Sequence, residues 1–232
     1  MPTDVKICGL STPETMDAAL DAGAAFVGLV FYPPSPRHLT PDAAKALASR
    51  AVGRAKVVAL FVNPNDADVD AVVRTVAPDY IQLHGEEPPA RAAELRKRSA
   101  TSIIKAAKVA TANDVADAVR YQDCADIMLF DAKAPATASA DKSLPGGNGE
   151  TFDWSLLDAR PADMSWMLSG GLNATNVANA IASTATPMID VSSGVERERG
   201  IKDVAAINAF MAAVRRADEN REISSPHQAI PE

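Results

Sequence analysis

The sequence has little cysteine, no excess of positive charge and no long apolar run, and each absence excludes a class of protein. Two cysteines among 232 residues are too few for a disulfide framework and favour a reducing compartment. The net charge of −7 has the wrong sign for a non-specific nucleic-acid binder. No apolar stretch reaches the roughly 18 residues of a membrane span, and no secretory signal opens the chain. We therefore expect a soluble cytoplasmic protein without nucleic-acid or membrane partners.

The sequence also lacks the common metal, nucleotide and nucleophile motifs. Its histidines, His38, His84 and His227, show no HxH spacing, and its cysteines form no CxxC pair, so we expect no metal site. The run Gly146-Gly147-Asn148-Gly149 is not followed by Lys-Ser or Lys-Thr and is therefore not a nucleotide P-loop. No Ser-His-Asp order with a nucleophile elbow is present.

Short apolar runs alternate with alanine-rich helical segments along almost the whole chain. Hydrophobic residues make up 47% of the sequence, which is enough for the core of one globular domain. Two helix starts are marked by Thr-Pro and an acidic residue, at Thr12-Pro13-Glu14 and Thr40-Pro41-Asp42. The predicted strands cover 4–8, 25–31, 56–62, 79–83, 102–107, 125–130, 166–168 and 188–191, and the predicted helices cover 13–22, 41–50, 66–76, 89–97, 112–121, 173–183 and 203–216.

Eight strands with intervening helices predict a (β/α)8 barrel, an α/β fold in which helices cover a closed parallel sheet. An open doubly wound sheet is the alternative, but the eighth unit completes a barrel with almost nothing left over. We expect one catalytic domain over residues 1–216 and a disordered polar tail over 217–232. Residues 132–151 show no periodicity and are interpreted as a lid, with a disordered surface insertion as the alternative.

Reactive and glycine-rich residues follow the carboxyl ends of the predicted strands, where barrel enzymes carry their active sites. Gly170 and Gly171 follow strand seven, and Ser193 and Gly194 follow strand eight. Glycines let the backbone approach a ligand and free amides attract an anion, so these two loops predict a phosphate site. Tight turns alone would also explain the glycines. The other strand ends carry Cys8, Tyr32, Asn63, His84, Lys105, Asp131 and Asp190.

Cys8 and Asp131 end strands one and six, and a thiol and a carboxyl group in one barrel mouth could serve as base and acid. A lone cysteine is more often a small buried hydrophobe. Strand periodicity places Lys6 on the face of Cys8, where its charge would favour the thiolate, although Lys6 would serve equally in a barrel ion pair. Cys124 opens strand six at the opposite end of the barrel, so we interpret it as structural and expect no disulfide with Cys8.

The chain resembles phosphoribosylanthranilate isomerases in a set of motifs that keep their order and spacing over about residues 4–215. Asn148 and Glu150 depart from the family pattern, which commonly has Thr and Lys in this glycine-rich loop. The shared motifs are Lys6-Ile7-Cys8-Gly9-Leu10, Gly28-Leu29-Val30-Phe31, Ser35-Pro36-Arg37, Gln82-Leu83-His84-Gly85, Leu129-Phe130-Asp131, Gly146-Gly147-Asn148-Gly149-Glu150-Thr151-Phe152-Asp153-Trp154, Ser169-Gly170-Gly171-Leu172 and Asp190-Val191-Ser192-Ser193-Gly194-Val195-Glu196.

The resemblance implies a (β/α)8 isomerase of tryptophan biosynthesis that acts on a small phosphosugar and needs no cofactor. The family catalyses the Amadori rearrangement of N-(5-phosphoribosyl)anthranilate to 1-(2-carboxyphenylamino)-1-deoxyribulose 5-phosphate. The resemblance implies Cys8 as the general base, Asp131 as the general acid and Arg37 as the group that holds the anthranilate carboxylate. It places the phosphate on the backbone of Gly170, Gly171, Ser193 and Gly194, and it leaves Asp190 and His84 between substrate contact and a structural role.

Two other classes of function, a related barrel enzyme and a phosphosugar sensor, stay open, as does the oligomeric state. Related phosphate-binding barrels include indole-3-glycerol-phosphate synthase and a histidine-pathway isomerase. The latter typically uses paired aspartates at strand ends one and five, where this chain has Cys8 and Lys105. A catalytically silent phosphosugar sensor would need only the phosphate loops and Arg37, so the presence of both Cys8 and Asp131 disfavours it. The sequence allows either a monomer or a homodimer.

Overall fold

A computed structural model describes residues 2–133 and 151–224 of the chain. Eight parallel strands close into a barrel in chain order, with β1 paired to β8, which confirms the predicted (β/α)8 architecture. Most of the predicted lid, including Gly146-Gly147-Asn148-Gly149, lies outside the described residues. The barrel strands are β1 (Asp4–Cys8), β2 (Phe26–Phe31), β3 (Lys56–Phe61), β4 (Tyr80–Leu83), β5 (Ser102–Val109), β6 (Ile127–Ala132), β7 (Trp166–Leu168) and β8 (Met188–Val191).

Several helices begin directly after a residue whose side chain caps them. Thr12 and Thr40 accept hydrogen bonds from the backbone N–H groups of Thr15 and Ala43, which otherwise lack helical partners. In the described part of the chain, no helix combines the length and apolarity needed to cross a membrane. The helices are α1 (Pro13–Asp21), α2 (Pro41–Ala51), α3 (Asp66–Val76), α4 (Pro89–Ser99), α5 (Ala112–Ala116), α6 (Val177–Thr184) and α7 (Val204–Ser224).

Three connections differ from simple strand–helix units. The predicted helix over 112–121 divides into α5 and a 3-10 helix, Asp117–Tyr121. The described part of the connection from β6 to β7 contains the 3-10 helix Trp154–Ala159 and no α-helix. After β8, a 3-10 turn at Ser193–Val195 leads into a small antiparallel hairpin of β9 (Glu196–Glu198) and β10 (Ile201–Lys202).

The hydrophobic core forms two layers, one inside the barrel and one between the barrel and its helices. Alternate residues of each strand point to opposite sides, so both faces of a barrel strand are buried. The inner layer near the amino ends of the strands is apolar. Its buried members are Phe26, Val58, Ile104, Ala106, Ile127, Leu129, Met167 and Met188.

The expectation of a disordered tail from residue 217 is wrong for residues 217–224, because α7 continues to Ser224. Ala217 is buried, and both oxygens of Asp218 accept hydrogen bonds from Thr3, one from its backbone N–H at 2.8 Å and one from its hydroxyl at 2.7 Å. These contacts tie the helix to the chain segment just before β1 and stabilise its extra turns. Residues 225–232 lie outside the described part of the chain.

Candidate active site

Polar side chains occupy the inward positions of the barrel near the carboxyl ends of the strands, above the apolar inner layer. The alternation that turns Ile127 and Leu129 of β6 inward also turns Asp131 inward. The same rule applies to Lys6 and Cys8 on β1. All of these polar residues are buried, and the set consists of Lys6, Cys8, Gln82, His84, Asp131, Ser169 and Asp190. The structure therefore brings together most of the strand-end residues that the sequence singled out.

Cys8 lies in a compact, largely apolar setting with one cation beside it. Val30 and Leu60 pack around the thiol. Gly28, on the neighbouring strand, makes room for it, because a Cβ there would lie 2.8 Å from Cys8 Sγ and 3.2 Å from Lys6 Nζ. Burial raises the pKa of the Cys8 thiol above its usual value and outweighs the Lys6 ammonium, which acts in the opposite direction. The predicted proximity of Lys6 is confirmed, but its charge does not decide the protonation state.

Lys6 and Asp190 form the buried ion pair that the sequence left as one possibility for Lys6. Lys6 Nζ donates to Asp190 Oδ1 at 2.8 Å, and Ser169 Oγ donates to Asp190 Oδ2 at 3.1 Å. Burial by itself lowers the pKa of Lys6, but the Asp190 carboxylate and the Cys8 sulfur outweigh it and raise that pKa to about 12. Both Asp190 oxygens thus have partners within the protein.

Asp131 is connected to His84 and, through it, to Gln82. His84 Nε2 lies 3.2 Å from Asp131 Oδ2, and His84 Nδ1 lies 2.8 Å from the side-chain nitrogen of Gln82. Because the Gln82 nitrogen is a donor, Nδ1 accepts and the neutral ring carries its proton on Nε2, facing the carboxylate. Asp131 Oδ1 accepts the backbone N–H of Ala132 at 3.0 Å. These contacts fix the orientation of the carboxyl group.

Arg37 is buried and already paired within the protein. Its Nε donates to Glu196 Oε1 at 2.7 Å and its Nη2 donates to Glu196 Oε2 at 2.8 Å. The stem of Arg37 passes over Gly9, where a Cβ would lie 2.6 Å from Arg37 Cδ and where φ is +81°. The family resemblance assigns this guanidinium to the anthranilate carboxylate of the substrate. In the described structure only the part of the fork that faces away from Glu196 remains available.

The two glycine-containing loops after β7 and β8 lie against each other. A Cβ on Gly194 would overlap the carbonyl oxygen of Leu172, so the loops approach more closely than any other residue would allow. Gly170 and Gly171 both have positive φ, at +95° and +58°. Ser193 opens the 3-10 turn of the second loop. The backbone of these loops can therefore face one common ligand group.

Lys105 does not belong to the site. Its neighbours Ile104 and Ala106 point into the barrel, so Lys105 points outward, where its ammonium bonds Glu87 at 2.8 Å and the carbonyl of Gly85 at 2.7 Å.

Cys124 is a buried free thiol, as is Cys8.

The sequence did not predict a role in the site for three residues that the structure places there: Gln82, Glu196 and Lys202. A glutamine in the middle of an otherwise apolar strand was the available signal for Gln82. No local signal pointed to Glu196 or Lys202, because their partners are distant in the sequence.

Sequence comparisons show which known proteins this chain resembles. A family model described as N-(5'phosphoribosyl)anthranilate (PRA) isomerase matches residues 5–213. An N-(5'-phosphoribosyl)anthranilate isomerase of Bradyrhizobium sp. (strain ORS 278) is 51% identical over 215 residues, 93% of this chain and 96% of that protein. The protein of the same name from Brucella canis (strain ATCC 23365 / NCTC 10854 / RM-666) is 50% identical over 220 residues, 95% of this chain and 96% of that protein.

Solved structures of the same kind share the fold. Phosphoribosyl anthranilate isomerase from Thermotoga maritima aligns with a TM-score of 0.78 and 33% identity, covering 92% of this chain and 98% of that one. A phosphoribosyl anthranilate isomerase in complex with reduced 1-(o-carboxyphenylamino)-1-deoxyribulose 5-phosphate aligns with a TM-score of 0.76 and 32% identity, with the same coverage of 92% and 98%.

Proposed function

Because the chain belongs to the N-(5'-phosphoribosyl)anthranilate isomerase family, we propose that it catalyses the Amadori rearrangement of N-(5-phosphoribosyl)anthranilate to 1-(2-carboxyphenylamino)-1-deoxyribulose 5-phosphate in tryptophan biosynthesis. The structural observation that carries the proposal is the pair of inward groups, the Cys8 thiol on β1 and the Asp131 carboxyl on β6, at the carboxyl end of one barrel. An acid and a base on different strands can approach a sugar from two sides, which this reaction requires.

The chemistry assigns one proton transfer to each group. Asp131 donates a proton to the ring oxygen of the ribose, the bond between C1 and that oxygen breaks, and the nitrogen lone pair forms an iminium. The Cys8 thiolate then removes the proton from C2, which leaves an enolamine. Its tautomerisation adds a proton at C1 and removes one from the C2 hydroxyl, giving the ketone. The iminium nitrogen accepts the electron pair, so the proposal needs neither a metal nor a cofactor.

Charged and polar side chains hold the proposed base and the proposed acid in position. Lys6 lies beside the thiol and stabilises the thiolate when it forms, and Asp190 keeps Lys6 in place. His84 and the Ala132 amide orient the Asp131 carboxyl group. In this arrangement Asp190 acts through Lys6 and His84 acts through Asp131.

The phosphate of the substrate is assigned to backbone groups, and its anthranilate carboxylate is assigned to a side chain. The phosphate lies on the backbone of the loops at Gly170, Gly171, Ser193 and Gly194, where glycines permit close approach. The anthranilate carboxylate meets the outer part of the Arg37 fork, while Glu196 occupies the inner part. The ligand that these assignments require is a small phosphosugar. The proposal also includes a cytoplasmic location, because the two free thiols favour a reducing compartment.

The assay generates the substrate in situ from anthranilate and phosphoribosyl pyrophosphate with a transferase and follows the loss of its fluorescence. The proposal expects the purified chain to accelerate this loss and to form the ketose product. Binding of the substrate without turnover would instead support a phosphosugar sensor. Turnover of the ketose to an indole would support the related synthase and contradict the proposal.

A further inference from the structure

A buried cluster of charged side chains surrounds Glu196, away from the acid and the base. Four hydrogen bonds reach its two carboxylate oxygens. Arg37 Nε and Lys202 Nζ both lie 2.7 Å from Oε1, and Arg37 Nη2 at 2.8 Å and the Gly200 amide at 3.0 Å approach Oε2. Only 4% of the Glu196 side chain is exposed. Its carboxylate is therefore committed to the protein and is not a ligand group.

Glu196 fixes which part of Arg37 can meet a substrate. The bidentate pair uses Nε and Nη2, so the guanidinium plane is set by the carboxylate plane. Within the described residues, Arg37 Nη1 makes no hydrogen bond, and the edge that carries it points away from Glu196. A substrate carboxylate would find this edge already oriented, without the loss of side-chain freedom that a mobile arginine incurs.

Glu196 reaches the other end of the site through Lys202. The Lys202 ammonium bonds Glu196 Oε1, the carbonyl of Ser192 at 2.9 Å and the hydroxyl of Ser192 at 3.1 Å. The Ser192 hydroxyl in turn donates to the Cys8 carbonyl at 3.1 Å. Ser192 directly precedes the glycine-containing loop after β8. One carboxylate thus connects Arg37, the phosphate loop and the strand of the base.

We propose that Glu196 is a positioning residue that couples the carboxylate-binding Arg37 to the phosphate-binding loop through Lys202. This inference rests on the proposed function, because it assumes that a substrate carries an anion at each end. Two cations share one buried anion, so Glu196 also offsets their mutual repulsion and leaves the cluster with a net charge of plus one. That residual charge favours an anionic ligand.

The first test separates position from charge with Glu196→Asp, which keeps the negative charge but withdraws it by one methylene. We expect KM for the phosphoribosyl substrate to rise about tenfold with kcat within about twofold of wild type, because the chemistry is untouched. Glu198→Asp, on the exposed part of the same hairpin strand, is the matched control and should leave both constants unchanged. A wild-type KM for a folded Glu196→Asp protein overturns the inference.

The second test is a double-mutant cycle that keeps Glu196 intact. Arg37→Lys and Lys202→Met should each raise KM, and the double variant should raise it by less than the product of the two factors, because both changes release the same carboxylate. Strictly multiplicative effects would mean that the two ends act independently and would overturn the inference. A wild-type chain without any turnover refutes the proposed function and this inference with it, whereas normal turnover with multiplicative effects refutes the inference alone.

Discussion

At the scale of single residues, Cys8 is subject to two opposing influences. Burial and the Asp190 carboxylate raise the pKa of its thiol, while the ammonium groups of Lys6 and Lys202 lower it, and the pKa is raised on balance. A thiol of raised pKa is mostly protonated at neutral pH, but the thiolate that does form is a stronger base. With Cys8 as the proposed base, a smaller fraction of thiolate is balanced by its greater basicity, which the removal of a carbon-bound proton from the substrate requires.

Replacing either of the two groups proposed as base and acid should slow the chemistry strongly and leave binding nearly intact. We expect Cys8→Ser and Asp131→Asn to lower kcat by about 10²–10⁴-fold with KM within a few-fold of wild type, since neither group is assigned to binding. Steady-state kinetics in the coupled fluorescence assay measure both constants. Cys124→Ser, which alters a thiol on the far side of β6, serves as the control. Near-normal kcat in both active-site variants would refute the assignment of acid and base.

The site residues that the sequence could predict are those whose position in the barrel follows from their place on a strand. Cys8 and Asp131 end predicted strands, and period-2 alternation turns them inward. The same alternation, applied to β5, would have turned Lys105 outward, beside the inward residue Ile104. The Arg37–Glu196 pair could not be predicted, because the two residues are 159 positions apart and only the closed barrel brings them together.

At the scale of elements, strands and capped helices were predictable, while irregular connections were not. Continuous apolar runs and helix starts marked by Thr-Pro are local features of the sequence, and the structure has strands and helices at these places. Residues 132–151 have no periodicity to detect, and the 3-10 helix Trp154–Ala159 has one buried residue, Leu157, so it shows no repeating apolar pattern. The end of α7 could not be predicted, because the residues beyond 216 are mostly polar and the contact that holds them, Asp218 with Thr3, joins distant parts of the chain.

The contact between Asp218 and Thr3 should matter for stability and not for catalysis. Asp218→Ala removes the acceptor of two half-buried hydrogen bonds from Thr3 and of one from Arg221, and it should lower the free energy of unfolding by about 1–3 kcal/mol. Urea denaturation measures the change, and KM and kcat should stay at wild-type values. Glu219→Ala, at an exposed position on the same helical turn, should change the unfolding free energy far less. Equal losses in both variants would mean that the Thr3 contact contributes nothing specific.

At the scale of the whole molecule, an acidic protein carries a cationic site. The chain has a net charge of −7, yet Lys6, Arg37 and Lys202 are all buried toward the carboxyl ends of the strands. Two carboxylates, Asp190 and Glu196, hold these three cations in place. The barrel tolerates this polar upper layer because the inner layer beneath it and the outer layer under the helices are apolar and supply the burial energy.

Two groups of this layer should make stability depend on pH in opposite directions. Burial lowers the pKa of Lys202 to about 8 despite Glu196, so between about pH 8 and its unfolded pKa near 10.4 only the unfolded chain keeps that proton, and stability rises with pH. Burial raises the pKa of Cys8, so above its unfolded pKa near 8.5 only the unfolded chain loses that proton, and stability falls with pH. In the wild-type protein the two contributions oppose each other.

Single variants should show separately how Lys202 and Cys8 make the free energy of unfolding depend on pH. From about pH 8 to pH 10, the unfolding free energy of Cys8→Ser relative to wild type should increase, because the variant no longer carries the thiol that favours the unfolded chain at high pH. The value for Lys202→Met relative to wild type should decrease over the same range, because wild type alone gains from releasing the lysine proton. Urea denaturation at matched ionic strength measures both differences, and Cys124→Ser controls for loss of a thiol elsewhere. If the two differences changed with pH in the same direction, burial would not govern these two groups as the structure indicates.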